Sequence, residues 1–210
     1  MVQRLVYCFM FLAAFAVTAP HGVPEQTAPR NSTIIIHVGK SGLFSGFGHN
    51  HTISAPIAHA AIDPKSKTAS ITVLTREMKV LDPDASEKDR QEIQATMLGP
   101  KVLDAQKYPE IHFTSTRIEQ TSAGEFKVTG SLELHGVTKQ LEFPVTGTPE
   151  HYTGKTKLKQ TEFGIQPVSV GGGTVKVKDE IELEFNVYPE TARQPPAVTW
   201  LGRTTEWDQR

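Results

Sequence analysis

Cysteine is nearly absent from the chain, which holds only Cys8. One thiol cannot form an intramolecular disulfide, so a disulfide framework is excluded. Cys8 also lies inside the N-terminal segment that we interpret as a signal peptide. We therefore expect a mature protein that has neither a disulfide nor a thiol nucleophile.

A marked excess of charge of one sign is missing as well. The 22 lysines and arginines nearly balance the 23 acidic residues, and the formal net charge is -1. Binding to nucleic acid or to an anionic membrane surface usually needs a clear basic bias. The composition therefore does not indicate nucleic acid as a partner.

Long apolar runs are confined to the N terminus. The run from Leu5 to Ala19 follows Arg4, and it is shorter than the about 20 residues of a membrane-spanning helix. Ala14-Phe15-Ala16 and Val17-Thr18-Ala19 both fit a small-x-small cleavage site. We predict a signal peptide over residues 1–19, a periplasmic or secreted protein, and no transmembrane span in the mature chain. An uncleaved anchor is the alternative.

What the sequence has in abundance is the alternation of apolar and polar residues. Ile181, Leu183, Phe185 and Val187 alternate with polar residues, and residues 126–134 and 141–145 repeat the pattern. A period of two with one polar face is typical of antiparallel strands that have one side in water. Weaker alternation predicts six more strands, at residues 32–38, 49–55, 57–63, 68–75, 110–119 and 151–162. Eight or nine strands suit closure into a small barrel.

One segment, at residues 84–106, departs from the alternation. Its apolar residues recur at near-helical spacing, Asp84 and Glu87 resemble a capping box, and Ser86 is another candidate cap. Gly99-Pro100 should divide the segment into two short helices. We therefore predict a short helical insertion in an all-β, antiparallel fold.

The ends of the chain lack any periodic pattern. We predict a linker over residues 20–31, a barrel domain over residues 32–188 and a flexible tail over residues 189–210. The tail contains Trp200 and Trp207. Docking of these tryptophans on a partner, which would make the protein an adaptor, is the alternative to a disordered tail.

The apolar faces of the strands are compatible with two kinds of barrel interior. They supply large side chains that either fill a solid core or line a cavity: Phe113, Phe126, Leu132, Phe143 and Phe185. From the pattern alone a filled core is favoured, because packed small barrels are common. A barrel of about eight strands can also leave room for one ligand.

A histidine pair, His49 and His51, lies at the start of the second predicted strand. On a strand His49, His51 and Ile53 share one face. Two imidazoles are too few for a zinc site, which usually takes three or four protein ligands, so we predict no metal site. Contact with a ligand headgroup at the mouth of a cavity is the functional hypothesis, and a structural hydrogen bond is the alternative. A general-base role on a lipid or quinone needs an oriented partner that the sequence does not identify.

Three stretches of the chain form recognisable motifs: YPEIHFTST at residues 108–116, GSLELHGVTK at residues 130–139 and TEFGI at residues 161–165. They resemble signatures of the YceI-like family of exported bacterial proteins. The resemblance runs over about residues 33–187. It implies a lipocalin-like barrel with a long interior cavity that binds a polyisoprenoid, an isoprenoid quinone or a fatty-acyl-like ligand, and it implies no catalytic residues. The segment SGFGHNHTI at residues 45–53 departs from the usual family pattern, which indicates a divergent branch.

The resemblance turns the interpretation toward a binding protein. We predict no cofactor other than a bound isoprenoid or quinone lipid, and no catalytic or metal-binding residues; a homodimer is left open. An enzyme or metal-dependent site that uses His49 and His51 is the alternative function. The predicted ligand-binding residues are Phe47, His49, His51, Ile53, Phe113, Phe126, Leu132, Phe143, Phe163 and Phe185.

Overall fold

The computed structural model describes residues 31–41, 50–170 and 175–190. Most of the described chain is strand, and the residues before 31 and after 190 lie outside it. The predicted signal peptide, nearly all of the linker, Phe47, His49 and both tail tryptophans therefore lie outside the described residues. The long strands are β1 Thr33–Ser41, β2 His51–Asp63, β3 Thr68–Leu74, β5 Glu110–Ser122, β6 Glu125–Leu134, β7 Val137–Thr148, β8 His151–Lys159 and β10 Val175–Val187.

These eight strands close into an antiparallel barrel, as the sequence predicts. Their order is β1-β10-β8-β7-β6-β5-β3-β2, and β2 pairs back with β1. Ile36 of β1 shows the closure, because it pairs with Leu183 of β10 on one side and Ile53 of β2 on the other. Two short strands, β4 Lys79–Val80 and β9 Ser169–Val170, pair with β2 and β10. Closure leaves no long unpaired edge among these eight strands.

The two ends of the barrel differ in their connections. Tight turns join β2 to β3, β5 to β6 and β7 to β8 at one end, which we call the open end. The connection from β4 to β5 and the β6–β7 turn lie at the other end, which we call the closed end. Helix α1 Glu87–Leu98 belongs to the long β4–β5 connection.

Strand β2 corrects one detail of the sequence prediction. The two strands predicted at 49–55 and 57–63 form one strand with an irregularity between Ile57 and His59. An extra residue at such a bulge shifts the side-chain alternation by one position. Ile53 and Ile57 are buried before the bulge and Ala60 after it, so one long strand keeps an apolar face inward throughout.

The insertion contains one helix, not two. Ser86 caps α1, with its Oγ accepting a hydrogen bond from Asp89 N at 3.1 Å. The helix ends at Leu98, and the residues after Pro100 form turns, in which Asp104 N donates to Gly99 O at 2.9 Å. Proline cannot donate the backbone bond that would continue the helix. The buried Leu103 holds these turns on the barrel instead.

The barrel extends slightly past the predicted boundary at residue 188. Pro189 is fully buried, and Glu190 Oε1 accepts a hydrogen bond from Ala60 N at 3.1 Å. Tyr188 N in turn donates to Ser32 Oγ at 2.8 Å, which joins the two ends of the domain. Residues 189 and 190 therefore belong to the folded domain and not to the tail. None of the helices in the described ranges is long and apolar enough to cross a bilayer.

Candidate functional site: an apolar cavity in the open half of the barrel

The open half of the barrel is hollow. A cavity of about 340 Å³ lies between the inward faces of the strands, and all eight long strands contribute to its wall. The wall is almost entirely aliphatic and aromatic, for example Ile34 of β1, Ile71 of β3 and Leu183 of β10. Its volume falls within the range of about 300–1,000 Å³ that is typical of small-molecule sites.

Five of the residues predicted to bind ligand lie on this wall. They are Phe113, Phe126, Leu132, Phe143 and Phe185. A solid core made of these side chains, which the pattern alone favoured, is therefore not what the structure shows. Their contact with a ligand stays a prediction.

The aromatic rings of the wall touch one another. The ring centroids of Phe113 and Phe143 lie 5.4 Å apart, and those of Phe143 and Phe185 also lie 5.4 Å apart. Nearer the open end, the rings of Phe126 and Tyr152 lie 6.0 Å apart in an edge-to-face arrangement. Tilted and edge-to-face pairs at these distances attract each other beyond simple area burial. The rings therefore stabilise one another within the apolar wall.

Polar residues gather where the cavity meets the turns of the open end. The rim contains Asp63, Lys67 and Gln120, all exposed to solvent. The Asp63 carboxylate accepts hydrogen bonds from Ser66 Oγ and Lys65 N, both at 2.8 Å, and these bonds lower the pKa of Asp63. Lys67 adopts a left-handed conformation with φ of 54° in the same turn. The sequence signals the turn through Asp63-Pro64, but nothing in it marks these residues as a cavity rim.

His51 lies at the opposite end of β2 from this rim. Its Nδ1 is 2.6 Å from Asp82 Oδ2, and Asp82 Oδ1 accepts a hydrogen bond from Thr52 N at 2.7 Å. Asp82 is buried, with 5% of its surface exposed. The position does not support contact of His51 with a headgroup at the cavity mouth. It corresponds to the alternative, a structural hydrogen bond.

Two other predicted site residues also lie away from the cavity wall. Ile53 is buried in the closed half, where it pairs with Ile36 and Val80. Phe163 is completely buried, and its carbonyl oxygen lies 3.3 Å from His135 Nδ1. Both side chains belong to the cluster of buried apolar residues.

Replacing Asp82 by alanine is expected to lower the free energy of unfolding by about 2–3 kcal/mol. The change leaves Thr52 N and the His51 ring without their acceptor in a buried site. Asp82→Asn should cost less, because its amide oxygen can still accept from Thr52 N. Urea denaturation measures the effect, with exposed Asp84→Ala as the matched control. Equal stability of the two alanine variants would contradict a structural role for Asp82.

The stretches that resemble family signatures meet at the closed end. The rings of Tyr108 and His135 lie 4.6 Å apart. His135 and Gly136 have φ of 53° and 73°, which is the geometry of a type I′ hairpin turn. A Cβ on Gly136 would lie 2.6 Å from the Tyr108 ring, so this position requires glycine. These contacts hold the closed end together, and two residues of the same stretches, Phe113 and Leu132, line the cavity.

Comparison with known proteins places the chain in one family. The family model for the YceI-like domain matches residues 26–188. A UPF0312 protein of Vibrio cholerae is 32% identical over 132 residues, which are 58% of this chain and 66% of that protein. Another, from Shewanella putrefaciens, is 26% identical over 82% of this chain and 91% of that protein.

A solved structure agrees with the fold. Burkholderia cenocepacia BcnA superposes with a TM-score of 0.51 at 19% identity, over 74% of this chain and 94% of that protein. This likeness concerns the architecture alone. Because the family model matches most of the chain and follows the described barrel from β1 to β10, the chain belongs to the YceI-like domain family.

Proposed function

We propose that the protein is an exported binding protein that holds one hydrophobic amphiphile in the cavity of its barrel. The ligand class is an isoprenoid, a quinone or a fatty-acyl-like lipid. The observation that carries the proposal is the apolar cavity of about 340 Å³ that reaches a polar rim. Each methylene group that such a ligand buries contributes about 0.8 kcal/mol, so a hydrocarbon chain binds without specific polar contacts.

The cavity volume limits the size of the bound part. At about 340 Å³ it lies near the lower end of the usual range for small-molecule sites. A single chain of moderate length fits this space, whereas the remainder of a long polyprenyl chain has to leave through the rim. The proposed guest is therefore one chain of moderate length, or one segment of a longer chain.

The distribution of polar groups orients the guest. Lys67 and Gln120 lie at the rim, whereas the deeper wall is formed by residues such as Leu132 and Leu183. A polar head is therefore placed at the open end with the hydrocarbon chain directed inward. Catalysis by His51 on such a guest would need the imidazole near the cavity, and its hydrogen bond to Asp82 holds it at the closed end.

Mass spectrometry of organic extracts tests the proposal. We expect full-length protein purified from its native compartment to carry one enriched hydrophobic compound, at up to one molecule per chain. The delipidated protein should then rebind that compound. The proposal would be contradicted if no lipid were enriched and the delipidated protein bound neither a polyprenol, nor a quinone, nor a fatty acid.

Export is tested separately from binding. N-terminal sequencing of the protein from the periplasmic or secreted fraction should show that a leader of about 19 residues has been removed, as the small-x-small sites indicate. An unprocessed chain confined to the cytosol would contradict export. It would not affect the binding proposal, which the lipid extraction tests.

A further inference from the structure

Five adjacent strands present phenylalanine and glycine alternately around the cavity. From β5 through β6, β7 and β8 to β10, the residues are Phe113, Gly130, Phe143, Gly154 and Phe185. We call this set the phenylalanine–glycine belt. Its three phenylalanine rings line the cavity, and the centroid of the Phe143 ring lies 5.4 Å from that of each of the other two rings.

The glycines receive the tips of two of these rings. A Cβ on Gly130 would lie 2.6 Å from Cε2 of Phe113, and the ring's Cζ is closer still. A Cβ on Gly154 would lie 2.9 Å from Cε2 of Phe185, again with Cζ closer. Each ring therefore occupies the space that a side chain on the neighbouring strand would fill. A glycine within a strand often marks such a close approach.

The direction of each ring decides what remains of the lumen. Because the ring of Phe113 lies back over β6 and the ring of Phe185 over β8, both rings follow the wall of the barrel. With any larger residue at Gly130 or Gly154, the same rings would have to turn toward the barrel axis. The cavity of about 340 Å³ would then shrink from two sides.

We propose that Gly130 and Gly154 are the residues that set the capacity of the cavity. By seating two phenylalanine rings against the wall, they keep the lumen open for one hydrocarbon chain, and the volume kept open determines how long a chain can bind. The nature of the guest rests on the proposed function, but the open lumen itself does not.

Alanine variants test the capacity with straight-chain fatty acids as probes. A series from about eight to about eighteen carbons covers the chain lengths that a cavity of this size class can hold. Gly130→Ala or Gly154→Ala should weaken binding of the longest chain that the wild type binds well by about tenfold, as expected for the loss of about two buried methylene groups. The shortest acids should be affected least. A folded variant with the wild-type chain-length profile would overturn the proposal.

Backbone strain is a competing cause of such a loss, and it can be separated. A Cβ on Gly130 would also lie 2.6 Å from Thr114 O, and one on Gly154 would lie 2.6 Å from Pro144 O. The pairs Gly130→Ala/Phe113→Leu and Gly154→Ala/Phe185→Leu keep this strain but remove the ring tip. We expect them to regain long-chain binding. Loss without recovery in both pairs would assign the effect to strain and overturn the proposal.

Variants that only shorten the rings cover the case in which the alanine variants do not fold. Phe113→Leu and Phe185→Leu remove the ring tips and add nothing near the backbone, so they should shift the preferred chain toward longer acids. An unshifted preference in both variants would overturn the proposal. Gly39→Ala is the matched control, because the three atoms nearest to its Cβ would all belong to the flexible side chain of Lys178. It should leave the chain-length profile unchanged.

Xenon uptake, followed by NMR shifts of methyl groups, detects an apolar cavity without any lipid. A wild type that takes up xenon but binds none of the acids, with uptake reduced in Gly130→Ala and Gly154→Ala, would support the capacity proposal and count against a fatty-acyl ligand. Equal xenon uptake by the wild type and both folded alanine variants would contradict the capacity proposal and would leave the proposed ligand-binding function unaffected.

Discussion

Replacing Ala69 by tryptophan is expected to weaken binding of the hydrophobic ligand by about 100-fold. Ala69 lies on the cavity wall near the open end, where β3 pairs with Ile62 of β2. An indole at this position projects into the lumen and takes the space of three to four methylene groups of the guest. That loss corresponds to about 2.8 kcal/mol of binding free energy. Isothermal titration of the delipidated protein with its extracted lipid measures it.

The neighbouring residue supplies the control. Ser70 follows Ala69 in β3, and successive side chains of a strand point to opposite faces, so Ser70→Trp places the same indole on the exposed outer surface. Its affinity for the lipid should match that of the wild type. A folded Ala69→Trp variant with unchanged affinity would show that the guest does not occupy this cavity.

The barrel could be predicted because its signal is local. Alternation such as that of Ile181, Leu183, Phe185 and Val187 fixes a strand and its inward face without knowledge of its partners. The hairpin at Ser122-Ala123-Gly124 is equally local, and the structure places β5 and β6 on either side of it. Eight strands with one apolar face each then leave closure as a natural way to bury those faces.

The hollow could not be predicted from the residues, because a filled barrel and a lined cavity need the same inward side chains. The sequence would have Phe113 and Phe185 at the same inward positions in a filled barrel and in a hollow one. What separates the two cases is the position of two glycines beside these rings: Gly154 pairs directly with Phe185, whereas Gly130 pairs with Ser115 and lies diagonally opposite Phe113. That placement depends on register between strands, which a single sequence does not show.

The location of His51 within the barrel could not be predicted for a related reason. The period of two correctly places His51 on the same face as Ile53, but it gives no information about which end of the barrel that face reaches. Its partner Asp82 lies 31 residues further along the chain. The sequence assigned the carboxylate no role, because the contact arises only when β4 and the residues after it fold back on β2.

Phe163→Ala is expected to lower the free energy of unfolding by about 3–5 kcal/mol, the usual cost of deleting a large side chain from a packed core. Phe163 is completely buried in the closed half, so its removal opens a new void.

Phe126→Ala is the matched control, because Phe126 already borders the cavity. It should cost only about 1–2 kcal/mol, since no close packing is lost on its inner side. Urea denaturation compares them. Because whole domains are stable by only about 5–15 kcal/mol, the difference is readily measured. Equal costs for the two substitutions would contradict the prediction that Phe163 is more closely packed than the cavity-lining Phe126.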